Sequence, residues 1–99
     1  VVVTNPTHYA VALKYDRDAS PDKRGAPKVT AKGVDHVAAK IKELAREAGV
    51  VVYEDVRLAR ALHARCEIGD DVPVELYQAV AEVLAYVYEV QKSPALARK

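Results

Sequence analysis

The stretch Val1-Val2-Val3-Thr4-Asn5-Pro6-Thr7-His8-Tyr9-Ala10-Val11-Ala12-Leu13-Lys14-Tyr15 decides how this chain starts its fold. Val1 to Thr4 is a short β-branched run and predicts a strand. Asn5-Pro6 is a turn signal. Tyr9 to Tyr15 alternates larger residues with small or polar ones, which predicts a second strand. The turn is therefore clamped between two strands, and the chain opens as a β-ribbon.

Working outward, Asp16 to Ala26 is rich in Asp, Ser, Pro, Lys and Gly and predicts a mobile surface loop. Pro27 to Ala31 carries a weakly signalled third strand, after which Gly33 precedes a helix. That helix is predicted over Val34 to Ala48, with Val34, Val37, Ile41, Leu44 and Ala48 on one apolar face. Asp35 lies in its first turn, where its charge suits the helix dipole. Gly49 closes it in the left-handed C′ role. Val50 to Tyr53 is an unbroken apolar run and predicts a buried parallel strand. Asp55 is an N-cap candidate for a short helix with Leu58, Leu62 and Cys66 on one face. Gly69-Asp70-Asp71 breaks the chain, and Pro73 fits the first position of a final helix with Glu75 in its first turn. Leu76, Val80, Val83, Leu84, Val87 and Val90 form its apolar stripe. Ser93-Pro94 ends it, and 93–99 is expected to be a disordered tail. The expected fold class is α/β: a small mixed sheet of about four strands with three to four helices packed around it, in one domain over 1–92.

Composition agrees with a single compact domain. The chain has 99 residues, 51% of them hydrophobic, with a net charge of +1. Lys and Arg are interspersed with Asp and Glu, which gives no reason to expect a nucleic-acid partner. No run approaches the roughly 20 apolar residues that cross a bilayer, and no secretory signal pattern is visible. The opening on Val1 without a polar lead-in suggests a fragment of something longer. The single cysteine, Cys66, excludes an internal disulfide and reads as structural. The four glycines are scattered and form no phosphate-cradling loop, which weighs against a nucleotide-binding α/β enzyme. No cofactor or metal is implied.

The chemistry concentrates at Asn5-Pro6-Thr7-His8. An Asn side chain cyclises with the backbone in two directions. In the common one the next residue's nitrogen attacks the side-chain carbonyl, but the Pro6 nitrogen carries no hydrogen, so that route is closed. The remaining route has the Asn5 side-chain nitrogen attack its own backbone carbonyl carbon. The Pro6 nitrogen then leaves, the chain breaks, and Asn5 becomes a C-terminal succinimide. Pro6 also biases Asn5 toward extended angles, with ψ of about 120 to 160°. Positioning of this kind reaches effective molarities of about 10⁵ to 10⁸ M. His8 is the candidate proton carrier, because histidine titrates near neutrality; the alternative is that water moves the proton and His8 shapes the turn. Thr7 hydrogen-bonds the turn or offers its backbone N–H to the developing oxyanion. His36 and His63 have no ligand-spaced neighbours and read as ordinary. The rival reading keeps Asn5-Pro6 intact as a plain turn in a protein-binding module.

Val1 to Asp16 resembles the cleavage region of the FlhB family of flagellar type III export switch proteins, and the Asn-Pro-Thr-His core is shared with injectisome relatives of the YscU and SpaS type. The likeness continues through Ala26-Pro27-Lys28-Val29, Ala31-Lys32-Gly33, Leu58-Ala59-Arg60-Ala61-Leu62, Glu67-Ile68-Gly69 and Leu76 to Tyr88. The wording Tyr9-Ala10-Val11-Ala12-Leu13 favours the flagellar branch.

The resemblance implies a C-terminal domain at the cytoplasmic face of the bacterial inner membrane. It hangs from an N-terminal membrane domain that this chain lacks. Self-cleavage between Asn5 and Pro6, supported by Thr7 and His8, would then permit export to switch from rod and hook proteins to filament proteins. It implies other export apparatus proteins, export substrates and a hook-length control protein as partners. Two departures stand out: the loop from Arg17 to Gly25 is longer than expected, and Val56-Arg57 stand where prolines are expected.

Overall fold

The structure, a computed structural model, describes residues 1–6, 8–15 and 27–92. The predicted loop over Asp16 to Ala26, the predicted tail over 93–99 and Thr7 lie outside the described residues. Among the described residues, four strands and three α-helices follow one another as β1 (Val2–Asn5), β2 (Tyr9–Lys14), β3 (Lys28–Val34), α1 (Asp35–Glu47), β4 (Val52–Glu54), α2 (Val56–Arg65) and α3 (Tyr77–Lys92). A 3₁₀ turn over Val74–Leu76 leads into α3. This is the expected mixed α/β architecture, in the expected order.

The sheet order is β3-β2-β1-β4. β1 pairs antiparallel with β2, from Val2 opposite Ala12 to Asn5 opposite Tyr9. On its other side it pairs parallel with β4, Val3 opposite Tyr53. Helices cover both faces. Because side chains alternate along a strand, Val3, Val11 and Leu13 pack with Leu58, Leu62, Val80 and Val83 of α2 and α3. Val2 and Ala10 point the other way and meet Ala38 and Ala45 of α1. All four residues of β1 are buried, and its first three form a β-branched run rather than an alternating pattern.

Three sequence expectations shift here. The apolar face of α1 is not the predicted one. Val37 is 54% and Leu44 50% exposed, while the buried positions are Ala38 and Ala45, with Ile41 partly buried beside them. The face of the sheet below carries the small residues Ala10 and Ala12 beside Val2, so the alanines of α1 can approach it closely. Leu44 is left on the flank, lining a shallow depression of about 330 Å³ with Ile41, Ala48, Val1 and Leu13. β4 is parallel as predicted, but it is a three-residue edge strand and only half-buried. Pro73 caps the 3₁₀ turn (φ −62°, ψ 149°) instead of occupying the first helical position.

Local chemistry explains the element ends. Asp55 accepts from the Leu58 N–H at 3.1 Å, so α2 is capped even with Val56-Arg57 at its start. Gly49 at φ 75° ends α1, with the Val50 N–H on the Ala45 carbonyl at 2.8 Å and the Gly49 N–H on the Arg46 carbonyl at 3.2 Å, a Schellman closure. The edge of β3 is covered by the segment after α2: the Gly69 N–H reaches the Val29 carbonyl and the Val72 N–H the Pro27 carbonyl, with one antiparallel bridge between Lys28 and Asp71.

Candidate functional site

The turn Asn5-Pro6-Thr7-His8 sits at the end of β1, the strand held by neighbours on both sides. Asn5 is buried, with 8% of its surface exposed, and is paired across the ribbon with Tyr9. One residue earlier, the Thr4 carbonyl accepts from the Asp55 N–H at 2.9 Å, which ties β1 to the start of α2. The electrophilic side of the turn is therefore fixed by the sheet, while Pro6 and His8 are exposed.

The His8 main-chain N–H donates to the Asn5 carbonyl oxygen at 3.1 Å and closes the turn. That carbonyl is the one whose carbon an Asn5 side-chain nitrogen would attack. A donor already on its oxygen polarises the carbonyl and would face the negative charge developing there in such an attack. The sequence offered the Thr7 N–H for this task; Thr7 is not described, and the recorded donor is His8. Pro6 at the second position of the turn is where its fixed φ is favoured.

Helix α1 holds the turn at two points that the sequence did not reveal. The Lys42 ammonium donates to the Pro6 carbonyl at 3.2 Å. The Asp35 N–H donates to the His8 carbonyl at 2.9 Å, continuing the β2–β3 ladder beyond Tyr9 and Val34. The Asp35 carboxylate also lies 3.5 Å from His8 Nδ1. The sequence offered only the helix dipole as a role for Asp35, and it gave no signal for Lys42.

The remaining histidines separate. His36 is exposed in the first turn of α1. His63 is half-buried with its ring 4.9 Å from that of Tyr9, whose ring in turn meets His8 edge-on at 6.2 Å. Cys66 is buried at the end of α2, and burial, reinforced by Asp70, pushes its thiol above the ordinary value. Among the described residues no group of three or more His, Cys, Asp or Glu is arranged to hold a metal ion, and no helix is long and apolar enough to cross a membrane.

A groove of about 620 Å³ runs beside the turn, lined by Pro6, Lys42, Arg46, Val52, Glu54 and Tyr86 among others. It follows the open edge of β4.

Comparison with known proteins bears on all of this. Residues 1–87 match the family described as FlhB HrpN YscU SpaS. The flagellar biosynthetic protein FlhB of Bacillus subtilis is 50% identical over 92 residues, which is 93% of this chain and 24% of that protein. FlhB of Yersinia enterocolitica is 51% identical over 92 residues, 93% of this chain and 23% of that protein. The chain thus spans about a quarter of these relatives. Among solved structures, the cytoplasmic domain of FlhB from Shewanella putrefaciens matches with a TM-score of 0.77 at 47% identity, over 88% of this chain and 68% of that one. An EscU C-terminal domain carrying an asparagine-to-alanine substitution matches with a TM-score of 0.77 at 30% identity, over 87% of this chain and 82% of that one. A further EscU domain, with a proline-to-alanine substitution at the next residue, matches equally well, at 30% identity over 87% of this chain and 81% of that one.

Proposed function

The chain belongs to the FlhB HrpN YscU SpaS family, and on that premise we propose that it cuts itself once, between Asn5 and Pro6, as the cytoplasmic export-switch domain of a flagellar type III apparatus. The observation that carries the reading is the His8 N–H on the Asn5 carbonyl at 3.1 Å, in a turn whose Pro6 cannot use the competing cyclisation. The Asn5 side-chain nitrogen attacks its own carbonyl carbon and gives up a proton. The carbon–nitrogen bond to Pro6 breaks, and the Pro6 nitrogen takes a proton and leaves as a secondary amine. Asn5 is left as a C-terminal succinimide that water opens. His8 carries the proton. The pair of EscU domains substituted at adjacent asparagine and proline supports attention to this dipeptide in the family.

Residues 1–92 act in this reading as one domain, hung from a membrane domain at the cytoplasmic face of the bacterial inner membrane. Once cut, the turn has new ends that alter the surface beside the groove at Pro6, Lys42 and Arg46. That change lets export pass from rod and hook proteins to filament proteins. The partners are other export apparatus proteins, export substrates and a hook-length control protein. The higher identity to FlhB than to EscU favours the flagellar branch.

Intact mass spectrometry of the purified chain, incubated near neutral pH, tests the cut. The expected result is a product that begins at Pro6 and is missing from Asn5→Ala. A wild-type chain that stays whole, or an Asn5→Ala chain that is still cut there, overturns the mechanism.

A further inference from the structure

A neutral imidazole has one N–H and one lone pair, and the partner of one nitrogen decides which nitrogen is the base. His8 Nδ1 lies 3.5 Å from a carboxylate oxygen of Asp35. The two residues are also tied through the main chain, Asp35 N–H to His8 carbonyl, at 2.9 Å. Both contacts come from one residue at the junction where β3 becomes α1.

Asp35 holds a φ of 48°, the one positive φ among the described non-glycine residues. Its neighbours allow no gradual transition, since Val34 is still paired with Tyr9 in the ladder. The left-handed backbone does not by itself call for an acid, since glycine and asparagine adopt it too. The carboxylate is not a cap: the cap residue of α1 is Val34, and no side chain caps that end. Its charge suits the N-terminal end of α1, and it also faces the His8 ring. Around His8 the structure also records the Tyr9 ring, with His63 behind it, and Lys42 on the Pro6 carbonyl. None of these is an acid.

We propose that Asp35 is a positioning residue for scission at Asn5-Pro6, accepting from Nδ1–H of His8 and so leaving Nε2 as the basic nitrogen. The inference rests on the self-cleavage reading above. In that sequence Nε2 takes the proton released by the Asn5 side-chain nitrogen and returns it to the departing Pro6 nitrogen. The imidazole ends as it began, and no other reactant is required.

Asp35→Asn isolates the carboxylate, because Asn keeps the main-chain N–H and tolerates the left-handed backbone. Rates of appearance of the Pro6 product are compared by intact mass for wild type, Asp35→Asn, His8→Ala and the double variant. Asp35→Asn is expected to slow the cut by about two- to five-fold, the scale of an exposed pair, and to have no effect once His8 is Ala. In the uncleavable Asn5→Ala chain, nitrogen chemical shifts of the neutral His8 ring should report the Nδ1–H tautomer, lost in Asp35→Gly, which removes the acceptor and keeps the left-handed backbone. An Asp35→Asn chain cut at the wild-type rate, an equal slowing in both His8 backgrounds, or a tautomer unchanged in Asp35→Gly overturns the role of Asp35 alone. A wild-type chain that never cuts removes the cleavage reading and this role together.

Discussion

The main-chain N–H of His8 donates to the carbonyl oxygen of Asn5 at 3.1 Å, across a turn whose second residue is Pro6. The hydrogen bond ties two functions of one motif together. It closes the turn, and it sits on the oxygen that becomes negative if the Asn5 side chain attacks. Removing Pro6 should therefore disturb the reaction without dissolving the turn.

With Pro6→Ala the following nitrogen gains a hydrogen, so the common cyclisation through the Asn5 side-chain carbonyl opens. The restriction on Asn5 ψ is also lost. Chain scission should fall on the order of ten-fold, with a deamidated full-length chain accumulating in its place. Mass spectrometry separates the two products. Scission at the wild-type rate would show that Pro6 contributes nothing beyond the turn.

Lys42 reaches the Pro6 carbonyl from the middle of α1 at 3.2 Å. Its contact is exposed, so Lys42→Met should change unfolding stability by less than about 1 kcal/mol. It should nonetheless slow the cut by up to about five-fold, because it frees one end of the turn. Paired urea denaturation and cleavage time courses test this. A loss of rate that tracks an equal loss of stability would refute the anchoring role.

Gly33 lies under α1 at close range. An added Cβ would come within 2.7 Å of Val37 Cβ and within 3.2 Å of the Val37 carbonyl carbon. Helix and strand must part to admit it, which predicts a loss of about 1 to 3 kcal/mol for Gly33→Ala. Urea denaturation followed by circular dichroism gives the value. No loss at all would mean that α1 docks more loosely than described.

Cys66 supplies a pH signature. Its thiol is pushed above the ordinary value of 9.0 by burial first and Asp70 second, with Arg65 and Lys32 opposing. In the unfolded chain the thiol ionises at the lower pH, so the folded state holds more protons in the window between the two values. Its contribution is fully present below the unfolded value and is lost as pH rises through the folded one. The urea midpoint should fall as pH rises through and above 9.0 more steeply in wild type than in Cys66→Ala. Parallel slopes would exclude the thiol as the cause.

The order of elements was legible because its signals are local. A β-branched run, a proline without N–H, a glycine able to take φ 75° and an aspartate one turn from its N–H each act within a few residues. The face of α1 was not, since hydropathy ranks Val37 and Leu44 above Ala38 and Ala45, whereas the small residues Ala10 and Ala12 opposite reward close approach. The half-exposure of β4 was hidden for a related reason: its sequence says strand, but only the sheet order makes it an edge.

By itself the sequence determined the Asn5-Pro6 dipeptide, the histidine that follows it and the strands that hold the turn, because covalent neighbours bring those groups together. Only the tertiary structure decided what surrounds them. Asp35 arrives at His8 because the β2–β3 ladder runs on past Tyr9 and Val34, and Lys42 arrives at Pro6 because α1 packs over the β-ribbon on Ala38 and Ala45. Contacts between residues so far apart in the chain depend on how helix and sheet pack, which no local pattern of residue types encodes.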